Sequence, residues 1–332
     1  MKIAFFNTKS YDKEYFKNVN KGTGIELTFF DGTLNCETTE LTKGHQGVCV
    51  FVNDKLDTDV IKSIAENGIQ LIALRCAGFN NVDLEAAQKH NIKVVRVPAY
   101  SPSAVAEHAL ALILTLNRKT HKAYNRVRES NFSLERLTGF NLKGKTVGVI
   151  GTGKIGAEFC TNMLGLGCKV IAQDPYPNNE LKDKGVKYLK IPQLLKQSDI
   201  ISLHCPLTPD SKHLINKETI KQMKPGVMLI NTSRGALINT KDAIKGLKKG
   251  QIGYLGIDVY EQEEGLFFHD LSENIIQDED IMRLMSFPNV LITSHQAFFT
   301  REALEQIATT TVQNIQDFKE GKPLENEIVS KH

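Results

Sequence analysis

The feature that most constrains this chain is a glycine pattern set between a strand and a helix. Lys145-Thr146-Val147-Gly148-Val149-Ile150 is a β-branched apolar run, and Gly151-Thr152-Gly153-Lys154-Ile155-Gly156 follows it directly and opens a helical pattern. The first glycine of such a turn permits the tight bend, the second lets backbone approach a pyrophosphate, and the third lets helix and strand pack closely. The helix start then offers unpaired N–H groups and the positive end of the helix dipole to an anion. A G-x-G-x-x-G also occurs in turns of purely structural purpose, so its surroundings decide the reading. The next β-branched run, Lys169 to Gln173, ends in Asp174, at about the 20-residue separation expected of a carboxylate that hydrogen-bonds an adenosine ribose. That carboxylate repels a 2′-phosphate, and Pro175 and Tyr176 offer no arginine to receive one, so the expected dinucleotide is NAD rather than NADP.

Short β-branched runs and helical patterns alternate on both sides of this turn. Ile3 to Phe6, Gly47 to Phe51, Leu71 to Leu74 and Lys93 to Val97 read as strands, with helical segments at Thr58 to Asn67 and Leu84 to His90. Ser101-Pro102 opens a helix that the apolar stretch Ala109 to Leu116 continues. Beyond the polar segment Arg118 to Asn141, strands are expected at Thr146 to Ile150, Lys169 to Gln173, Ile200 to His204, Val227 to Asn231, Gly253 to Asp258 and Val290 to Thr293. Apolar strands separated by helices predict parallel sheets covered on both faces, in two α/β units joined near residue 100. A length of 332 residues suits two domains.

Charge and cysteine usage narrow the function classes. Lys plus Arg (41) exceeds Asp plus Glu (38) by only three, too small a surplus to predict a nucleic-acid partner. The cationic run Arg118 to Arg128 lacks interleaved aromatics and reads as a solvated helix end or a subunit contact. The acidic segment Glu261 to Asp280 has neither an EF-hand nor a metal-triad spacing and reads as a surface excursion; no metal is expected. The N-terminus lacks the pattern of a signal peptide, and no stretch approaches the about 20 apolar residues of a membrane span, so a cytoplasmic location and no membrane partner are expected. Cys36, Cys49, Cys76, Cys160, Cys168 and Cys205 form no C-x-x-C pair and read as small buried residues in a reducing compartment.

Three strand ends in the second half carry groups suited to hydride transfer on an α-keto acid. Asn231-Thr232-Ser233-Arg234-Gly235 ends one strand with an arginine, whose planar fork holds a carboxylate by two hydrogen bonds. Asp258-Val259-Tyr260-Glu261-Gln262-Glu263 ends another with carboxylates, and Thr293-Ser294-His295-Gln296 ends a third with a histidine. Each residue alone is ordinary on a surface or in a core. Ligands of such sheets bind outside the carboxyl ends of the strands, however, so the three are expected to converge.

Taken together these segments resemble the D-isomer-specific 2-hydroxyacid dehydrogenase family over essentially the whole chain, and within it the fermentative D-lactate dehydrogenases. Further stretches that carry the resemblance are Arg75-Cys76-Ala77-Gly78-Phe79-Asn80-Asn81-Val82-Asp83, Tyr100-Ser101-Pro102, His204-Cys205-Pro206-Leu207-Thr208, and Ser294-His295-Gln296-Ala297-Phe298. The resemblance implies two Rossmann-like or flavodoxin-like doubly wound parallel-sheet domains with the active-site cleft between them. It implies an NAD-binding domain of residues 100–297 and a discontinuous substrate domain of residues 1–99 and 298–332, which the residue pattern alone does not reveal. Arg234 resembles the substrate-anchoring arginine, His295 the acid/base and Glu263 its partner, in preference to Glu261 or Glu264. Gly151, Gly153, Lys154, Ile155, Gly156, Asp174, Cys205, Pro206, Ser211, Thr232, Ser233 and Asp258 match cofactor-binding positions. Ala77 and Gly78 match backbone donors to the substrate carboxylate, and Tyr100 and Phe298 match walls of its pocket.

The expected reaction is the reversible reduction of pyruvate to D-lactate by NADH, in a homodimer or homotetramer. Within the enzyme class the rival is a bulkier or branched 2-keto acid. Phosphoglycerate dehydrogenases often carry extra C-terminal domains for which this chain has little length, and formate dehydrogenases pair the histidine with Gln where Glu263 stands. A rival of another class is an NAD-sensing binding protein related to transcriptional corepressors, against which the intact Arg234, Glu263 and His295 argue.

Overall fold

The computed structural model describes residues 1–329, which form two compact units, one of Met1–Ser101 together with the chain from Phe299 onward, the other of Pro102–Phe298. The first unit is built on strands β1 (Lys2–Phe5), β2 (Glu26–Phe29), β3 (Gly47–Val50), β4 (Leu71–Leu74) and β5 (Lys93–Val95). All neighbours pair in parallel, in the order β2-β1-β3-β4-β5, which is the flavodoxin-like order. Strands β3 and β4 are buried throughout, because helices cover both faces of a parallel sheet. The final helix, Arg301–Lys319, packs against the helix Ser10–Val19 and against β4. Its buried positions, Ala303, Ile307, Ala308, Thr311, Val312 and Ile315, recur at three- and four-residue spacing and form one face.

The second unit holds β6 (Thr146–Ile150), β7 (Lys169–Gln173), β8 (Lys187–Tyr188), β9 (Ile200–Leu203), β10 (Val227–Asn231), β11 (Ile252–Ile257) and β12 (Val290–Ile292) in one parallel sheet. Their order, β12-β11-β10-β9-β6-β7-β8, reverses direction between β6 and β9, and the glycine turn after β6 lies at that switch point. In an open α/β sheet this is where a ligand crevice forms. The helix Pro102–Arg118 packs against β10 and β11, with Leu112 and Leu116 closest to Gly256.

Three features depart from the sequence expectations. Strands β2 and β8 and the helix Ser10–Val19 were not anticipated; β2 and β8 are short edge strands without a fully buried face, so they carry little apolar signal. The helix that continues Ala109 to Leu116 stops at Arg118, since Lys119 turns left-handed at φ 53°, and the cationic run forms a separate helix, Thr120–Arg128, with no buried residue. Cys36 is exposed rather than buried, because it sits in a surface loop before a short 3-10 turn; no disulfide forms among the described residues. Among the described residues no helix is long and apolar enough to cross a membrane.

Candidate active site

The glycine turn has the shape that its sequence requires. Gly151 stands at φ 91°, and a Cβ there would lie 2.6 Å from the backbone nitrogen of Cys205, so the turn after β6 presses directly on the turn after β9. A Cβ on Gly156 would meet the Gly151 carbonyl oxygen at 2.0 Å, which is the close helix–strand approach expected of the third glycine. Gly153 differs: it has φ −61° and nothing within 4 Å of its missing Cβ. Protein packing therefore makes no demand for glycine at 153, and what remains is room for a ligand against the backbone. Gly153 is also the N-cap of the helix Lys154–Gly165, with no side chain to cap it, so the first-turn N–H groups, including those of Lys154 and Ile155, stay open to an anion.

Asp174 follows β7 and is half-buried, its carboxylate accepting from Thr152 N at 2.6 Å and Tyr176 N at 2.8 Å. These two bonds aim the carboxylate beside the glycine turn. On the other side of the switch point the Cys205 thiol is pushed up to about 11 by burial and stays neutral. Its carbonyl accepts from Ser233 Oγ at 2.6 Å, which ties the turn after β9 to the turn after β10. Ser211 turns its hydroxyl inward, donating to the Pro206 carbonyl at 2.8 Å and so closing the loop 206–211. Thr232 Oγ1 is buried without a hydrogen-bond partner among the described residues. A buried hydroxyl left unmet costs free energy, and a polar ligand group would relieve it. The open backbone at Gly153, the uncapped helix start and the unmet Thr232 hydroxyl fit a dinucleotide.

The turns after β10, β11 and β12 are chained together. Asn231 Nδ2 donates to the Arg234 carbonyl at 2.8 Å, and Asp258 N donates to the Asn231 carbonyl at 2.9 Å. A Cβ on Gly235 would collide with the backbone of Tyr260 and Glu261 at 2.1 to 2.5 Å, so only glycine lets these two turns stack. His295 N in turn donates to the Asp258 carbonyl at 2.7 Å. Arg234 is half-buried and its Nη1 donates only to the carbonyl of Ser233, at 2.8 Å; among the described residues no carboxylate pairs with it. A guanidinium in that state is available to an anionic ligand.

His295 adopts φ 55°, a left-handed conformation that a residue with a Cβ takes at a cost, and it is held there from two sides. Its Nδ1 lies 2.9 Å from Glu263 Oε1, while Glu263 Oε2 accepts from Tyr260 N at 3.0 Å. Glu261 is engaged elsewhere, with His213 Nε2 at 2.5 Å and with Thr240 Oγ1 at 3.0 Å. The Glu263 contact occupies Nδ1 and leaves Nε2 as the nitrogen able to exchange a proton with a ligand. Asp258, expected to line the cofactor site, is fully buried, and its carboxylate accepts from Gln296 N at 2.9 Å, Ala297 N at 2.8 Å and the Thr293 hydroxyl. Its side chain thus braces the turn that carries His295. Sequence reasoning missed His213, Thr240 and His108; His108 Nε2 lies 3.0 Å from Thr293 Oγ1 and 3.4 Å from Asp258 Oδ1. Each comes from an element distant in sequence, and no spacing rule marks them. His204 is half-buried, 2.8 Å from Ser202 Oγ, and desolvation pushes it down to about 3, so it stays neutral.

In the first unit, Ala77 and Gly78 lie in the loop after β4. Neither backbone N–H donates to a protein acceptor among the described residues. Tyr100 lies in the same unit, just past its last strand, and Phe298 is buried at the end of the second unit.

Comparison with known proteins places the chain in a family. Residues 110–297 match the family described as D-isomer specific 2-hydroxyacid dehydrogenase, NAD binding domain. The chain belongs to the D-isomer-specific 2-hydroxyacid dehydrogenase family. It is 52% identical over 329 residues to D-lactate dehydrogenase of Escherichia coli, covering 99% of this chain and 100% of that protein. It is 51% identical over 319 residues to 2-hydroxyacid dehydrogenase homolog 1 of Schizosaccharomyces pombe, covering 96% of each. A solved structure described as the pyruvate reductase of Chlamydomonas reinhardtii superposes with a TM-score of 0.94 at 46% identity, covering 98% of both chains. The protein is therefore an NAD-binding oxidoreductase of this family, similar to D-lactate dehydrogenases.

Proposed function

We propose that the protein reversibly reduces pyruvate to D-lactate, with Arg234, Glu263 and His295 as its catalytic residues. The observation that carries this reading is the His295–Glu263 contact at 2.9 Å, chained by hydrogen bonds through Asp258 and Asn231 to a guanidinium that has no carboxylate partner among the described residues. NADH, when bound, supplies the hydride that is transferred to the keto carbon. His295 in its imidazolium form donates a proton from Nε2 to the carbonyl oxygen, and in lactate oxidation the neutral ring takes that proton back. The Glu263 carboxylate at Nδ1 orients the ring and leaves Nε2 as the nitrogen that faces the substrate. Arg234 holds the substrate carboxylate through two parallel hydrogen bonds and polarises the carbonyl. Ala77 and Gly78 are assigned as backbone N–H donors to a substrate carboxylate, and Tyr100 and Phe298 as pocket-wall residues. Gly151, Gly153, Lys154, Ile155 and Gly156 receive the pyrophosphate, Asp174 the adenosine ribose, and Cys205, Pro206, Ser211, Thr232 and Ser233 the remainder of the cofactor site, while Asp258 braces the turn of His295.

Pyruvate is favoured over a larger acid because the E. coli relative is a D-lactate dehydrogenase and the algal one a pyruvate reductase. The rival, a bulkier 2-keto acid, is kept alive by relatives known only as 2-hydroxyacid dehydrogenases. NADH oxidation should be followed with a panel of pyruvate, 2-ketobutyrate, 2-ketoisocaproate and hydroxypyruvate. Pyruvate should give the highest kcat/KM, and a branched acid ahead of it by tenfold would transfer the assignment. The discontinuous first unit is proposed to be the substrate domain, and the active form a cytoplasmic homodimer or homotetramer.

A further inference from the structure

We propose that Arg96 is a positioning residue that aims the backbone N–H of Gly78 at the substrate carboxylate and strengthens it as a donor. The inference rests on the reading above that Ala77 and Gly78 hold that carboxylate, and it assigns the cause of their orientation.

Two successive carbonyls in the loop after β4 are held from one neighbouring segment. Val97 N donates to the Cys76 carbonyl at 3.2 Å, and Arg96 Nη1 donates to the Ala77 carbonyl at 2.9 Å. The peptide bonds here are trans, and in a planar trans peptide the N–H points opposite to the C=O. Holding the carbonyls of Cys76 and Ala77 therefore turns the N–H groups of Ala77 and Gly78 away from residues 96–97, and neither finds a protein acceptor among the described residues. Adjacent N–H groups left open in this way form an anion-binding concavity. The Cys76 carbonyl is held by backbone, which a substitution leaves in place; the Ala77 carbonyl depends on one side chain.

That side chain is itself fixed. The Arg96 guanidinium lies 5.1 Å from the centre of the Phe79 ring, so it spans the loop from the Ala77 carbonyl to the next aromatic. Its backbone is tied to the C-terminal part of the chain: Arg96 N donates to the Asn326 carbonyl at 3.1 Å, and Asn314 Nδ2 donates to the Arg96 carbonyl at 2.9 Å. The far end of the loop is pinned independently, by Asn81 Nδ2 on the carbonyls of Phe51 at 2.9 Å and Asp54 at 2.8 Å. The root is pinned by the buried Arg75, whose guanidinium lies 4.9 Å from the ring centres of both Phe5 and Phe51 and whose Nη2 donates to the Asn7 carbonyl at 2.7 Å. With both ends of the loop anchored elsewhere, Arg96 acts on the one peptide between Ala77 and Gly78. A cation on the carbonyl of an amide also polarises it and makes its N–H the stronger donor.

Arg96→Met keeps the stem and removes donor and charge; Arg96→Lys restores a cation and a donor. Pyruvate KM should rise about tenfold to a hundredfold in Arg96→Met, as for loss of a charge-assisted contact, and recover in part in Arg96→Lys. The NADH KM should stay within twofold of wild type, since cofactor residues lie in the other unit. Gly78→Pro removes the N–H itself, and in that background Arg96→Met should add no further rise in pyruvate KM. Melting temperatures establish which variants fold, and Arg96→Gln replaces Arg96→Met if the latter does not. An unchanged pyruvate KM in the folded Arg96 variant, with a raised KM in Gly78→Pro, overturns the role of Arg96 alone. An unchanged KM in Gly78→Pro overturns the reading that this N–H binds the carboxylate, and the inference with it. Additive effects in the double variant also overturn it, because Arg96 would then act by another route.

Discussion

Glu261, Glu263 and Glu264 stand within four residues, and a pattern of residue types cannot say which of them meets a histidine. Family likeness singled out Glu263; the fold shows why the alternatives differ physically. Glu261 is taken by His213 and Thr240, while the turn from Tyr260 bends Glu263 back so that one oxygen caps a backbone N–H and the other reaches His295. Glu263→Gln keeps this shape and removes the charge beside the ring. Its kcat/KM for pyruvate should fall by about tenfold or more, as for loss of a charged hydrogen-bond partner, while the NADH KM stays near wild type. Steady-state kinetics in both directions decide the matter: activity within twofold of wild type would remove Glu263 as the partner of His295.

Among whole elements, the glycine turn was the most legible, because a strand, three glycines and a helix leave few alternatives. What its sequence left open was the division of labour among the glycines. Gly156 is demanded by packing, with a Cβ that would sit 2.0 Å from a backbone oxygen, whereas Gly153 meets nothing within 4 Å. Gly156→Ala should therefore lower the melting temperature, at a cost of about 1–3 kcal/mol or more, together with NADH affinity. Gly153→Ala should leave the melting temperature of the unliganded protein within about a degree or two and still weaken NADH, since its Cβ enters only the space proposed for the pyrophosphate. Thermal melts paired with NADH fluorescence titrations test the contrast, and equal affinity in Gly153→Ala would mean that the pyrophosphate does not approach there. Strands β2 and β8 were illegible for the opposite reason. They are four and two residues long, at sheet edges, and hydrogen bonds to a neighbouring strand hold them rather than an apolar pattern of their own.

For the molecule as a whole, the second unit leaves apolar side chains uncovered around the helix Thr120–Arg128. Tyr124 is 62% exposed, Val127 52%, Phe132 73% and Leu134 81%. Such a grouping, framed by the cations of a run expected to be a solvated helix end or a subunit contact, is the face on which the proposed homo-oligomer is tested. Light scattering should give at least twice the 37.0 kDa chain mass, and Phe132→Asp with Leu134→Asp should shift the particle toward the monomer. A wild-type monomer at micromolar concentration would remove the oligomer from the proposal. Local residue order was enough to determine the parallel α/β class, the dinucleotide turn and the strand ends that carry Arg234 and His295, because each depends on periodicity or on residues adjacent in the chain. Tertiary structure alone decided the bracing of the His295 turn by Asp258 and the hold of Arg96 on the Ala77 carbonyl, and the return of the helix Arg301–Lys319 to the first sheet was legible only through family likeness. These join residues about 20 to more than 200 positions apart, and a hydrogen bond or a packed face across such a separation leaves no period in the sequence.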